Sequence, residues 1–183
     1  MKIDDLIYHT GEWLKGAGPQ SHIVMSSRIR LARNVEKISF PARAEKKDLA
    51  EIIKLAKEAF DSSEYFKDAM FFKINEMDNL DQQFLIERHL MSHDHAATSE
   101  GRAILISKEE ILSIMINEED HFRIQVMQSG FNLNETWKII NMIDDILSAK
   151  VPYAYDASWG YLTACPTNTG TGMRGSVMLH LPA

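Results

Sequence analysis

The sequence predicts an α+β fold with a mainly antiparallel sheet and helices packed on one face of that sheet. The chain has 183 residues, of which 45% are hydrophobic and 25% charged, so it is long enough for one domain with a sizeable core. Short β-rich runs follow one another closely in the second half of the chain. Longer stretches elsewhere place apolar residues at helical spacing.

The first third of the chain predicts two helices and one strand. Residues 3–14 form a short predicted helix that ends at a Gly- and Pro-rich break. Residues 23–32 predict a strand in which apolar residues alternate with Arg28 and Arg30, so that both arginines share one face. Residues 45–60 place apolar side chains three or four positions apart and predict a helix that covers a core.

The rest of the chain continues to alternate between strands and helices. An apolar, aromatic run predicts a strand at 69–74, and helical spacing returns at 78–91 before a polar loop at 92–100. Three β-rich runs with short separations predict adjacent antiparallel strands at 103–107, 112–117 and 123–127. A further amphipathic helix is predicted at 134–148. The last strands are predicted at 161–164 and 176–181.

Charge and cysteine content argue against several classes of protein. Twenty Lys and Arg residues stand against twenty-six Asp and Glu residues, and the formal charge of −6 disfavours direct nucleic-acid binding. No apolar stretch reaches the roughly 20 residues that cross a bilayer, so a membrane protein is not expected. The single cysteine, Cys165, cannot form an internal disulfide, which favours a reducing compartment and a cytoplasmic location.

The first candidate site is the segment Ser26-Ser27-Arg28-Ile29-Arg30. In a strand, Arg28 and Arg30 project to the same side about 7 Å apart, which is close to the spacing of successive phosphates in a nucleotide. Two guanidinium groups at this spacing can clamp a polyphosphate. The alternative is a solvated strand face whose arginines pair with nearby acids, since surface ion pairs are common and weak.

The second candidate site is the acidic segment at residues 118–120, which is followed by Arg123. Consecutive carboxylates repel one another, so a folded protein offsets that repulsion with a cation or leaves the acids in open solvent. The candidate cations are a guanidinium, which a carboxylate holds in bidentate fashion, and Mg²⁺, which prefers oxygen ligands. The alternative is a charged turn between two strands.

The third candidate site is a glycine-rich loop at residues 160–174. Its small and polar residues can present backbone N–H groups to an anion, and Arg174 closes the loop. Cys165 precedes a proline within it. The alternative for Cys165 is a small buried hydrophobe, because free cysteines are commonly buried and inert.

These three motifs, in this order, resemble the ATP:guanidino phosphotransferase family, and most closely its bacterial branch of protein-arginine kinases. The resemblance spans residues 26–172 and implies a guanidino kinase catalytic domain that uses ATP and Mg²⁺. It implies that the nucleotide contacts Ser27, Arg28, Arg30, Arg123 and Arg174. It further implies that Glu118 contacts Mg²⁺ through water, that Glu119 is the catalytic carboxylate and that Cys165 lies beside the substrate guanidinium.

The chemistry of phosphoryl transfer agrees with these implied roles. The transition state spreads charge over the equatorial phosphate oxygens, so arginines and Mg²⁺ directed at them stabilise it. A guanidinium with a pKa above about 12 has no free lone pair, so a carboxylate such as Glu119 must align it and accept its proton. Cys165 assists only if nearby positive charge lowers its pKa from about 8.5.

The start of the chain bears on the substrate. We divide the chain into a short helical segment at 1–22 and a truncated catalytic domain at 23–183. The resemblance implies that kinases of free guanidines carry a whole helical domain before the first strand, and this chain has no room for it. An open site suits an arginine displayed on a protein, and the resemblance implies a role in bacterial stress response and Clp-dependent protein turnover. An activator protein is a further expected partner.

The end of the chain leaves alternatives open. The resemblance implies a continuation that supplies another phosphate-binding arginine and a second acid for the guanidinium, so we expect weakened ATP binding and little turnover. An antiparallel sheet cut in mid-course also exposes an edge, which favours a homodimer. The alternatives are a small-molecule guanidino kinase that acts on free arginine and a non-catalytic ATP-binding fragment.

Overall fold

Eight strands organise the chain in the computed structural model, which describes residue 6 and residues 8–181. They are β1 (Val24–Arg33), β2 (Met70–Lys73), β3 (Ala103–Ile106), β4 (Leu112–Ile116), β5 (Phe122–Ser129), β6 (Tyr155–Asp156), β7 (Gly160–Tyr161) and β8 (Met173–Leu179). Six of them form one sheet in the order β2-β3-β4-β5-β1-β8, in which all neighbours are antiparallel. The short strands β6 and β7 pair only with each other.

Four α-helices connect these strands. They are α1 (Lys46–Asp61), α2 (Asn79–Glu87), α3 (His93–Ala96) and α4 (Leu133–Ser148). Short 3₁₀ helices lie at Glu12–Leu14, Glu64–Phe66, Ile74–Glu76 and Pro166–Asn168. Among the described residues, no helix combines the length and apolar character needed to cross a membrane.

The helices α1 and α4 pack on one face of the sheet. Each buries an apolar stripe against the strands, including Ile52 and Ala56 of α1 and Ile140 and Leu147 of α4. These side chains form one core with apolar residues of the central strands, which include Leu31, Ile114, Ile124 and Val126. Burial of this kind contributes about 25 cal/mol per Å² of apolar surface, so this face anchors the sheet.

The opposite face carries a second core, to which Trp13 of the 3₁₀ turn and Met127 of β5 also belong. There, Leu85 of α2 packs in this core with Met70, Ile104 and Met115 from the β2-β3-β4 half of the sheet. The predicted α+β class and antiparallel sheet are confirmed, but helices on one face alone is too simple a description. The β5-β1-β8 half of this second face carries the polar side chains described below.

Four predicted elements differ from the structure. The helix predicted at 78–91 ends at Glu87, because His89 adopts a left-handed φ of 56° that a helix cannot continue through. The polar loop at 92–100 contains the short helix α3. The strand predicted at 161–164 is reduced to β7, and the helix predicted at 3–14 falls partly outside the described residues, with a 3₁₀ turn at Glu12–Leu14.

Candidate active site

Four arginines converge on the β5-β1-β8 half of this second face. In the register of β1 with β8, Arg30 lies opposite Arg174, and in the register of β1 with β5, Ala32 lies opposite Arg123. Arg28, Arg30 and Ala32 are two residues apart in β1 and therefore face the same side. Strand pairing thus places all four guanidinium groups on one face, although 146 positions separate the first arginine from the last.

These arginines perturb one another. The pKa of Arg30 is lowered to about 10, first by burial and then by the positive charges of Arg123, Arg28 and Arg174. Burial and two of the same neighbours also lower the pKa of Arg28. Within the described part of the chain, Arg30 and Arg174 have no ion-pair partner. Positive charge crowded in this way favours the binding of an anion.

The acids at 118–120 lie in the turn between β4 and β5, beside this cluster. The buried side chain of Glu118 accepts a hydrogen bond from Arg123 Nη1 at 2.7 Å through Oε2, and Ser92 donates its hydroxyl to the other oxygen. The Glu119 side chain is exposed on the surface. Partial burial of its carboxylate, followed by the negative charges of Asp120 and Glu118, raises its pKa. Glu119 is therefore the accessible acid of this segment, and it holds a proton more readily than an ordinary glutamate.

Arginines and acids share one cleft of about 130 Å³, which we call the arginine cleft. Its lining includes Arg30, Glu118, Glu119, Arg123, Asn168 and Arg174. Positive charge thus lies on the sheet side and the exposed carboxylate at the turn. A ligand that carries both an anionic group and a cationic group matches this division.

Asp120 joins the acidic turn to the glycine-rich loop. Its Oδ1 accepts hydrogen bonds from Asn34 Nδ2 at 2.6 Å and from the Ala164 backbone N–H at 2.7 Å. Asn34 also donates to the Leu162 carbonyl at 3.0 Å and accepts from the backbone N–H after Asp120 at 2.9 Å. The Leu162 carbonyl and the Ala164 N–H, which lie in the strand predicted at 161–164, therefore bond to side chains instead of to a neighbouring strand. They fix Cys165, the next residue, relative to Glu119.

Arg33 holds the far end of the same loop. Its guanidinium forms a buried ion pair with Asp144 of α4 at 2.7 Å and donates to the Thr171 carbonyl at 3.0 Å. It also lies 3.6 Å from the centre of the Tyr161 ring, a cation–π contact. Gly172 must be glycine, because a Cβ there would lie 2.6 Å from the Ala32 carbonyl oxygen and its φ is +60°.

Comparison with known proteins places this arrangement in a family. A sequence model of the ATP:guanido phosphotransferase C-terminal catalytic domain matches residues 51–183. The chain belongs to this family. Protein-arginine kinase from Halothermothrix orenii is 44% identical over 100% of this chain and 52% of its own length. Protein-arginine kinase from Brevibacillus brevis is 46% identical over 93% of this chain and 48% of its own length. The chain spans about half the length of these curated relatives.

Solved guanidino kinases share the fold. The taurocyamine kinase from Schistosoma mansoni with bound transition-state-analogue components superposes with a TM-score of 0.81 at 27% identity, over 99% of this chain and 26% of that one. Lombricine kinase superposes with a TM-score of 0.79 at 23% identity, over 98% of this chain and 52% of that one, and this likeness shows the fold alone. The family match starts at residue 51, but β1 lies inside the sheet, so the folded unit includes earlier residues.

The side chain of Ser27 faces away from the four arginines. Its hydroxyl is fully buried on the α4 side of β1, where it donates to the Gly130 carbonyl at 2.7 Å and accepts from the Asn132 N–H at 2.8 Å. The neighbouring Ser26 is on the arginine side. Because alternate residues of a strand face opposite ways, a shift of one residue exchanges the two serines. Ser26, itself only 5% exposed, therefore faces the arginines, and the contact of Ser27 with a nucleotide stays a prediction.

A second cleft, of about 180 Å³, adjoins the arginine face. We call it the tryptophan cleft, and its lining includes Trp13, Ser26, Arg28, His89, Met127 and Ser176. The rings of Trp13 and His89 meet edge to face at 5.3 Å, and Arg28 Nε donates to the Ser176 hydroxyl at 3.3 Å. Aromatic, thioether and hydroxyl groups beside an arginine suit an aromatic base and a sugar.

Sequence reasoning missed the residues that hold the site together. Ser92 was assigned to a polar loop, and Asn34 was given no role. Both act across more than twenty residues of sequence, on Glu118 and Asp120 respectively. The only local signal is for Ser92, which precedes a short helix and accepts the His95 N–H at 3.0 Å as an N-cap.

Proposed function

We propose that this chain is the catalytic part of a protein-arginine kinase, which transfers the γ-phosphate of ATP to arginine side chains of proteins. The observation that supports this proposal is the arginine cleft. In it, the guanidinium groups of Arg30, Arg174 and Arg123, of which only the last forms an ion pair among the described residues, lie with the accessible carboxylate of Glu119. The names of the relatives at 44% and 46% identity support the same substrate class.

In this proposal, the phosphates bind to the three arginines that line the arginine cleft and to Arg28 beside it. Arg28, Arg30, Arg123 and Arg174 provide fixed positive charge where the equatorial oxygens of the transferred group carry negative charge in the transition state. In this proposal, the base and ribose occupy the tryptophan cleft, because Arg28 lines that cleft and is two residues from Arg30 on the same face. One ligand can therefore span both clefts.

The acids fit a magnesium ion that stays largely on the phosphates. Among the described residues, no three His, Cys, Asp or Glu side chains are grouped to hold a metal. Both Glu118 oxygens already accept hydrogen bonds, from Arg123 and Ser92, so Glu118 suits a contact through water. Mg²⁺ commonly keeps several waters and takes the rest of its ligands from phosphate. When bound, it neutralises charge on the β- and γ-oxygens.

Glu119 acts on the acceptor arginine. In the proposed step, its carboxylate aligns a guanidinium nitrogen and accepts the proton, the N–P bond forms, and the bond from the γ-phosphorus to the ADP oxygen breaks. A raised pKa makes Glu119 a stronger proton acceptor than an ordinary glutamate. We place Cys165 beside the same guanidinium, because Asp120 fixes the preceding residue; its Sγ lies 3.0 Å from the Thr167 hydroxyl.

The partners follow from this chemistry. We propose that the substrates are proteins with exposed arginine, that the protein works in the cytoplasm, and that an activator and a homodimer belong to its regulation. The exposed edge strand β8 supports the last point, because Met173, Val177 and Leu179 are exposed there.

The test combines binding and transfer. Calorimetry measures ATP affinity with and without Mg²⁺, and γ-labelled ATP is then incubated with the chain plus an arginine-rich protein or free arginine. We expect acid-labile label on protein arginine that is lost in Glu119→Gln. Label on free arginine alone supports a small-molecule guanidino kinase, and ATP binding without any transfer supports a non-catalytic fragment. Absence of ATP binding contradicts all three.

A further inference from the structure

A third cavity, larger than either cleft, lies outside both of them. It is an open groove of about 930 Å³ between α1, β2 and residues 98–102. Its floor is apolar and includes Leu49, Ile53 and Phe71. This volume is at the upper end of the range for small-molecule sites, and an open groove with an apolar floor can also hold an extended polypeptide segment.

The rim of this groove is positively charged, and we call it the lysine groove. Its basic residues are Lys46, Lys54, Lys57, Lys73 and Arg102, against the two carboxylates Glu76 and Glu100. The ion pairs of Lys46 with Glu100 and of Lys73 with Glu76 are exposed and therefore weak. A local positive surface in a chain with a formal charge of −6 marks a site for a negatively charged partner.

The groove is joined directly to the acidic turn. The buried side chain of Asn117 donates to the Leu49 carbonyl at 3.0 Å and to the Gly101 carbonyl at 2.8 Å, and both acceptors line the groove. Asn117 immediately precedes Glu118 and Glu119 in the sequence. One end of the groove therefore lies next to the segment that carries the proposed catalytic acid.

We propose that the lysine groove docks the substrate polypeptide next to its target arginine and selects segments with acidic and apolar residues. This inference rests on the proposed function, because it identifies where a protein substrate is held. The apolar floor supplies buried contact, and the lysines supply long-range attraction that raises the association rate. Charge complementarity favours a polypeptide with Asp and Glu over a basic one.

Peptide binding without ATP tests the groove independently of transfer. The probe is a fluorescein-labelled peptide with one arginine flanked by leucine and glutamate, and its control has glutamine in place of every glutamate. We expect the acidic peptide to bind about tenfold more tightly, with the difference shrinking as salt is raised. Equal affinity for the two peptides overturns the proposal.

Charge reversal on α1 locates the binding site. Lys54→Glu with Lys57→Glu changes two exposed groove lysines and is expected to weaken the acidic peptide about tenfold. The matched control, Lys47→Glu with Lys138→Glu, makes the same charge change at exposed lysines outside the groove. Equal weakening by both pairs shows that general charge, not the groove, binds the peptide, and overturns the proposal. Unfolding curves of both variants confirm that each is folded.

Two further results separate the possible failures. If the chain binds the acidic peptide more tightly than its control but transfers no phosphate, the result contradicts the proposed function and still supports peptide binding in the groove. Phosphate transfer to both peptides with equal affinity contradicts the groove alone. A single-stranded oligonucleotide of equal charge is included as competitor, and its displacement of the acidic peptide at lower concentration than unlabelled peptide shows a nucleic-acid groove instead and overturns the proposal.

Discussion

Replacement of Asp120 by alanine separates the structural use of this acid from its charge. Both hydrogen bonds to the Asp120 side chain, from Asn34 and from the Ala164 N–H, end on the same oxygen. In Asp120→Ala, Asn34 keeps its bond to the Leu162 carbonyl, whereas the Ala164 N–H loses its partner. In Asp120→Asn, the amide oxygen can still accept both bonds, and only the charge is lost.

The expected cost follows from these contacts. Bonds to a charged acceptor contribute about 1.5–3 kcal/mol each, so the loss of two, partly offset at Asn34, destabilises Asp120→Ala by about 3 kcal/mol. This corresponds to a decrease in Tm of about 9 °C for a chain of this size. Asp120→Asn should lose about 1 kcal/mol of the free energy of unfolding. In this variant the pKa of Glu119 should fall, because the negative charge of Asp120, which helps to raise it, is removed.

Cys165 reports on the loop because it is the only cysteine. Its rate of reaction with a disulfide reagent should rise in Asp120→Ala, where the preceding backbone is released, and stay unchanged in Asp120→Asn. Urea unfolding gives the stability of the same samples. Asp145→Ala, an exposed acid on α4, is the control and should change neither quantity. If Asp120→Ala keeps the wild-type stability and thiol reactivity, the reasoning is refuted.

Three further changes test the charges of the fold. Arg30→Gln should weaken ATP binding by about tenfold to a hundredfold and yet raise Tm, because it relieves repulsion among the arginines; calorimetry and thermal unfolding check both. Asp144→Ala should destabilise by about 3–5 kcal/mol in urea, because it leaves the buried Arg33 charge unpaired; a loss below 1 kcal/mol contradicts this. Burial lowers the pKa of His95 from 6.5 to about 4, so stability that is complete above pH 6.5 should fall by about 3 kcal/mol as the pH decreases to 4. Unfolding of His95→Gln should lack this component.

The local sequence pattern was enough to predict most strands and helices, but not how the strands pair in the sheet. Alternation predicted β1 and the common face of Arg28 and Arg30, because a strand has a fixed period of two. That Arg174 lies beside Arg30 depends on β8 pairing with β1 across more than 140 residues, which no local pattern encodes. Which of Ser26 and Ser27 faces the arginines was not predicted for a related reason: both neighbours are serines, and only the register distinguishes them.

The two faces of the central strands explain how a repelling cluster of arginines can persist. Directly behind Arg28 and Arg30, the alternate residues Ile29 and Leu31 of β1 are buried under α4, together with Ile124 and Val126 of β5. That apolar burial offsets the free energy lost in crowding positive charges on the other face. Because the strands are fixed from behind, the guanidinium groups are positioned before an anion arrives. An anion that neutralises them therefore gains electrostatic energy with little reorganisation, which is the condition that favours stabilisation of a charged transition state.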